Sequence, residues 1–138
     1  MKRLALFLLI STCLLLWAAP GDRFASWEIE IESDHPFSAW QAEIHYPAGV
    51  ILTTIENGDG AFSQPPDYDR RGLEHGRIIL AAYTLEEQAQ KRLAVARLHF
   101  LAPAQAKPED WSIHIQALGD AQGRRLQGKI HLKPSPTP

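Results

Sequence analysis

Apolar and polar residues alternate along this chain with a period of two, in short stretches separated by turn residues. In residues 25–32, Ala25, Trp27, Ile29 and Ile31 fall on one phase, and Ser26, Glu28, Glu30 and Glu32 fall on the other. Such alternation predicts a strand with one face in the core and one in water. Residues 39–46 repeat the pattern, with Trp40, Ala42, Ile44 and Tyr46 inward and Gln41, Glu43 and His45 outward. Ser33-Asp-His-Pro36 makes the turn between them, and Pro47-Ala-Gly49 breaks the second strand. Five more strands are expected at residues 50–56, 77–83, 93–101, 111–117 and 126–132. In the fifth strand Ala94, Ala96, Leu98 and Phe100 take the core phase, and in the sixth Trp111, Ile113 and Ile115 do. Thr84-Leu-Glu-Glu87 has capping-box spacing and predicts one or two helical turns to about Gln90. With no internal repeat and no long helix, short strands at this spacing predict an all-β chain, an antiparallel sandwich or barrel.

The ends add a compartment. Lys2 and Arg3 precede an apolar run from Leu4 to Ala19, interrupted only by Ser11, Thr12 and Cys13. Ala19-Pro-Gly21 supplies small residues for a signal peptidase, so residues 1–21 are expected to be an export signal cleaved after Gly21. The run is shorter than the ~20 residues of a spanning helix. Membrane anchoring would follow only if the segment were retained. A lipoprotein signal at Ile10-Ser-Thr-Cys13 is disfavoured by Thr12 and by the three leucines that follow the cysteine. Lys133-Pro-Ser-Pro-Thr-Pro138 reads as an extended, solvated tail. The expected organisation is a signal peptide at 1–21, one β-sandwich domain at 22–132 and a Pro-rich tail at 133–138, in a secreted or periplasmic protein.

Cys13 is the only cysteine, so a processed chain could form neither a disulfide nor a thiolate zinc site. Removing Lys2 and Arg3 from the 14 basic residues leaves 12 against 16 acidic ones, a net charge of −4. A weakly acidic domain without a basic cluster is not built for nucleic acid.

Candidate chemistry is sparse. His45, His99, His114 and His131 all fall on outward strand phases. They could bind a metal only if register brought them to one face, and solvated positions are the simpler expectation. Asn57-Gly-Asp-Gly60 resembles the middle of a calcium loop, but Ile55 and Pro66 stand where the template needs acids. Asp59, Asp67 and Asp69 could form only an irregular site, and a plain turn explains them. Glu28, Glu30 and Glu32 form an outward row expected to be solvated. Neither a nucleophile elbow nor a phosphate-binding glycine loop is present. No catalytic residue, metal or cofactor is therefore expected.

Sugar sites need exposed flat rings. Trp27, Trp40 and Trp111 take the inward phase, which leaves Phe62 and Tyr68 as the exposed candidates. Tyr83 lies on the phase opposite to Ile78 and Leu80, leaving its face open. The irregular stretch 58–76 is long for a compact domain, and such loops often carry function. Within it Asp67, Tyr68 and Asp69 are the candidate binding residues.

Residues 39–46 with Pro47-Ala-Gly-Val-Ile-Leu52, and the later Val95-Ala-Arg-Leu-His-Phe100, resemble the cohesin-like and carbohydrate-binding-module-like β-sandwiches of secreted bacterial proteins. The resemblance spans about residues 25–132. It implies a jelly-roll-like, nine-stranded sandwich that binds and does not catalyse. The partner it implies is a dockerin-type or other extracellular protein, with polysaccharide as the alternative. Two departures stand out. The signal segment occupies the place of the first family strand, and Pro47 replaces the usual aspartate after the strand-two tyrosine.

Overall fold

A computed structural model describes residues 21–86 and 89–135. The expected export segment lies almost wholly outside these residues, as do Glu87, Gln88 and the last three residues of the tail. Eight strands are present among the described residues: β1 (Arg23–Ser33), β2 (Ala39–His45), β3 (Ile51–Asn57), β4 (Asp67–Tyr68), β5 (Arg77–Tyr83), β6 (Arg92–Ala102), β7 (Ser112–Gly119) and β8 (Gly128–Pro134). They form two antiparallel four-stranded sheets. Sheet I runs β3-β6-β1-β8, and sheet II runs β4-β5-β2-β7. The seven expected strands are all present, and the eighth is the two-residue β4. Strand β8 takes in Lys133 and Pro134, the first two residues of the expected tail. Residues 84–86 and 89–90 hold no helix, and the Thr84 Oγ1 accepts the Glu86 N–H at 3.1 Å; the rest of the expected turns falls on Glu87 and Gln88, outside the described residues.

The inward phases of the two sheets meet as the alternation predicts. Trp27 and Phe100 of sheet I pack edge-to-face at 4.7 Å, and Trp111 closes on both, at 4.7 and 5.0 Å. Trp40, Ala42, Ile44, Ile78 and Leu80 line the other side. Such ring geometry adds to the area the aromatics bury.

Three strands, β3, β6 and β7, carry an extra residue that shifts the phase a strict period of two would keep, and the last two bear on the expected core. On β6, Ile29 pairs with Ala96 but Glu30 pairs with Ala94, so Val95 is an extra residue. Leu93 and Val95 then face the core, while Ala94 turns outward beside Glu30, still buried but outside the core cluster, which corrects its expected phase. On β7, Gln116 is the extra residue between the Gln41–Ala117 and Ala42–Ile115 pairs. A bulge re-aims every side chain beyond it, and nothing in either strand's hydrophobicity marks its place.

The stretch after β3 is built rather than loose. Gly58 sits where a Cβ would lie 2.3 Å from the Ala94 carbonyl oxygen, so only glycine lets the chain close on β6. Phe62 then stacks on Phe37 at 5.7 Å and is buried. The expectation of an exposed ring at Phe62 is overturned: with Phe37 it fills one end of the core. A 3-10 helix at Arg70–His75 follows β4 and ends at Gly76, whose φ of 64° is the left-handed region. The Tyr46 hydroxyl donates to the Leu73 carbonyl at 2.8 Å and ties this turn to the end of β2.

Candidate functional site

The outer face of each sheet carries the polar phase of its strands, but the two are finished differently. On sheet I, Glu28 and Glu30 lie in mid-β1, flanked by β6 and β8. Arg97 reaches Glu28, Asp59 and the Asn57 carbonyl, while Arg92 and Lys133 both bond Glu30. These arms bury both carboxylates, so the expected solvated row holds only at Glu32. Their paired charge is what makes that burial tolerable. The Lys133 hydrogen bond above all, with Arg92 behind it, holds the Glu30 carboxyl below its usual range against the opposing effect of burial.

On sheet II the central acid is Glu43. Arg77 donates to it twice, at 2.8 and 3.2 Å, His45 Nε2 lies 2.6 Å from Oε1, and Gln116 donates at 2.5 Å. Gln41 donates in turn to Gln116 at 2.6 Å. The Arg77 hydrogen bond, then that of His45, lowers the Glu43 carboxyl to about 2. This array fixes its side chains without covering the sheet. Beside it the outer face narrows to Ala39, Ala81 and Ala117, which floor a groove of about 530 Å³. Tyr83, 73% exposed, stands over one wall, and Asp67, Asp120 and Arg125 approach the rim. The groove exists because alanines stand at three outward positions where sheet I has long cationic arms.

The three candidate residues from the sequence are not brought together. Asp67 pairs with Ala81 in β4 and lies at this groove. Tyr68 pairs with Leu80 and packs half-buried against the core. Asp69 caps the 3-10 helix, accepting the Arg71 N–H at 2.9 Å. Strand alternation separates neighbours in sequence, so a run of three binding-type residues cannot share one face. The residues missed were Tyr83, Ala81, Gln41 and Gln116. The phase of β5 carried the signal, since Tyr83 follows the outward series Arg77, Ile79 and Ala81.

The histidines do not converge either. His45 and His114 lie on sheet II, His99 and His131 on sheet I. Among the described residues no group of three or more His, Cys, Asp or Glu gathers in a metal-holding arrangement.

One line on sheet I has catalytic residue types. Ser26 Oγ is 2.6 Å from His99 Nδ1, and His99 Nε2 is 3.0 Å from Glu56 Oε2. Ser26 is nevertheless mid-strand, paired with His99 on one side and accepting the Ser135 N–H on the other. Backbone groups committed to a ladder leave no oxyanion donors beside the hydroxyl. The Ser26–His99 contact ties β1 to β6, while Glu56 lies beside His99 Nε2 without a hydrogen bond to it.

The sequence matches no protein-family model and no curated protein. Among solved structures, the fold is similar to a non-cellulosomal cohesin from the hyperthermophilic archaeon Archaeoglobus fulgidus, with a TM-score of 0.61. The two are 13% identical over 78% of this chain and 75% of that one. The similar structure is archaeal, whereas the sequence resemblance pointed to bacterial proteins. At this identity the likeness concerns the fold alone, and it agrees with the two-sheet architecture: the fold is a cohesin-like β-sandwich.

Proposed function

We propose that this chain is an exported, non-catalytic module that binds a protein partner through the outer face of sheet II. The observation that carries the reading is the groove over Ala39, Ala81 and Ala117, with Tyr83 exposed beside it. Small residues on a rigid sheet let a partner's side chains reach the backbone. An exposed tyrosine adds contact area at low entropic cost, and such rings are enriched at interfaces. The hydrogen-bonded Glu43 array is held in place before any partner arrives, which lowers the ordering cost of binding. The cohesin fold supports the same reading, and a dockerin-type partner is the candidate the resemblance implies. Export rests on Lys2, Arg3 and the apolar run from Leu4 to Ala19.

Polysaccharide binding has weaker support. Trp27, Trp40 and Trp111 are all in the core, and Tyr83 is the single strongly exposed ring described on sheet II. A glycan platform normally needs more than one.

The test is affinity capture from the native secretome with wild type, Tyr83→Ala and Ala81→Arg, followed by identification of the captured protein and its titration in purified form. A partner that binds wild type and loses at least tenfold in affinity to Ala81→Arg, at unchanged melting temperature, supports the reading. Equal binding by all three proteins, or binding to a glycan array in place of a protein, overturns it.

A further inference from the structure

Among the described residues, sheet I has an open edge that the groove on sheet II does not involve, and it has the features of a strand-accepting site. Four strands lie at sheet edges: β3 and β8 in sheet I, β4 and β7 in sheet II. Three of them are blunted. Strand β4 has two residues, β7 is bulged at Gln116, and β3 carries Thr53 as an extra residue whose hydroxyl turns back to the His99 carbonyl at 2.9 Å. Short length and bulges are the usual ways of closing an edge to pairing. Strand β8 has neither; its guards are Lys129, Lys133 and Pro134, and the lysines oppose a basic or self-pairing strand and not an acidic one. It pairs with β1 over seven residues, from Gly128 to Pro134, without a register shift.

The phase of its backbone follows from one hydrogen bond. Ser135 N–H donates to the Ser26 carbonyl at 2.8 Å, continuing the β1–β8 register by one pair. In an antiparallel ladder hydrogen-bonded pairs alternate. The amides and carbonyls of Lys129, His131 and Lys133 therefore face β1, and those of Ile130 and Leu132 face the open side. Pro134 falls on the same open side, where a missing N–H costs no ladder bond.

The side chains along this edge define what would fit. On the inner side Ile130 and Leu132 of β8, with Ile113 and Ile115 of β7, pack on the core but remain partly exposed, forming an apolar seam between the sheets. On the outer side stand Lys129 and His131, both exposed and without a polar partner among the described residues, beside Lys133 on Glu30. A second copy of β8 pairing antiparallel about His131 would set Lys129 against Lys133, a like-charge opposition that disfavours self-association. A strand alternating acidic and apolar residues meets both rows. The molecule already shows that match on the other side of β8, where Glu28, Glu30 and Glu32 of β1 lie opposite Lys133, His131 and Lys129.

We propose that the open edge of β8 binds an extended peptide segment of a partner protein by strand addition, the segment alternating apolar residues toward the Ile113–Ile130 seam with acidic residues beside Lys129 and His131. Main-chain bonds to Ile130 and Leu132 supply affinity, and the two side-chain rows supply selectivity.

A fluorescein-labelled peptide with the sequence of residues 26–33 serves as the probe, titrated into the full chain by anisotropy. A control peptide carries lysine for its three glutamates. The expected result is saturable binding of the acidic peptide, weaker by at least tenfold for the control and for Lys129→Glu/His131→Glu, and weakening as salt rises. Because the double variant also touches the β1–β8 pair, hydrogen exchange on the wild type provides a second readout: the Ile130 and Leu132 amides should slow by more than tenfold at saturating peptide. Unchanged exchange at these two amides, equal binding of both peptides, or dimerisation of the wild type through this edge would each overturn the proposal. Neither readout depends on Tyr83 or Ala81, so the groove on sheet II and this edge stand or fall separately.

Discussion

On sheet I the acids of the central strand are roofed by arginine and lysine arms; on sheet II the central acid is ringed by partners but left within reach of solvent, next to bare alanines. Glu30 is 7% exposed, although it lies on the outward phase of its strand, as Glu43 does. The difference arises from the neighbours. Arg92, Arg97 and Lys133 lie across sheet I, and their aliphatic stems cover what their charged heads neutralise. Ala39, Ala81 and Ala117 cannot do this on sheet II. An outward phase therefore predicts direction and not exposure. A sheet face is open for binding where its outward residues are short.

The core beneath both faces sets the largest effect. Phe100 is 1% exposed and packs on Trp27 and Trp111, so Phe100→Ala should cost about 3–5 kcal/mol in urea melts. That is a large share of the stability of a domain this size. A loss below about 1 kcal/mol would mean that the sheets do not share this core.

The next effect tests the roof of sheet I. Glu30→Gln removes the charge that Lys133 and Arg92 converge on, and should cost roughly 1–2 kcal/mol at pH 7. The value is held to the low end of charged hydrogen bonds because both cations remain partly exposed, at 44% and 61%. The pH dependence has a definite sign. The Glu30 carboxyl is lowered on folding from its ordinary value of 4.5, so its contribution is complete above that value and is lost as pH falls through the folded one. Melts of wild type and Glu30→Gln should differ at pH 7 and converge in strong acid, where the wild-type carboxyl is protonated too. A gap of constant size across that range would show that packing, and not charge, accounts for the loss.

Most of the fold was legible because period-two alternation is a local signal. Trp27, Trp40 and Trp111 all proved to be inward, and residues 77–83 matched β5 at both ends. What failed needed knowledge across strands. Ala94 turned outward because Val95 is a bulge residue defined only by its pairing with β1. Glu28 and Glu30 were buried by Arg92, Arg97 and Lys133, which are distant in sequence. Phe62 found Phe37 across the sandwich end. The site was less legible still. Asp67, Tyr68 and Asp69 were grouped by adjacency, yet a strand sends such neighbours to different places. The groove itself is made of alanines, whose binding value comes from what they leave uncovered.

The smallest effect is the sharpest test of the difference between the faces. Glu43→Gln removes a carboxyl lowered to about 2, which taken alone argues for a large loss. The geometry argues otherwise. Arg77 and His45 are about half exposed, at 49% and 48%, so water solvates them as soon as the carboxylate is gone. Pairs of this kind contribute little to stability, however good their geometry. Whatever the carboxyl contributes is present in full above 4.5 and fades as pH falls toward 2, so any small gap between wild type and Glu43→Gln belongs to neutral pH and closes in acid. At pH 7, Glu43→Gln should leave the melting midpoint within error of wild type while loosening Gln116 and Gln41, whose positions depend on Glu43 Oε2. Partner affinity on sheet II should fall while stability holds, the reverse of Glu30→Gln, which should lower stability and leave that affinity unchanged. Equal destabilisation by the two substitutions would erase the distinction between a roofed face and an open one.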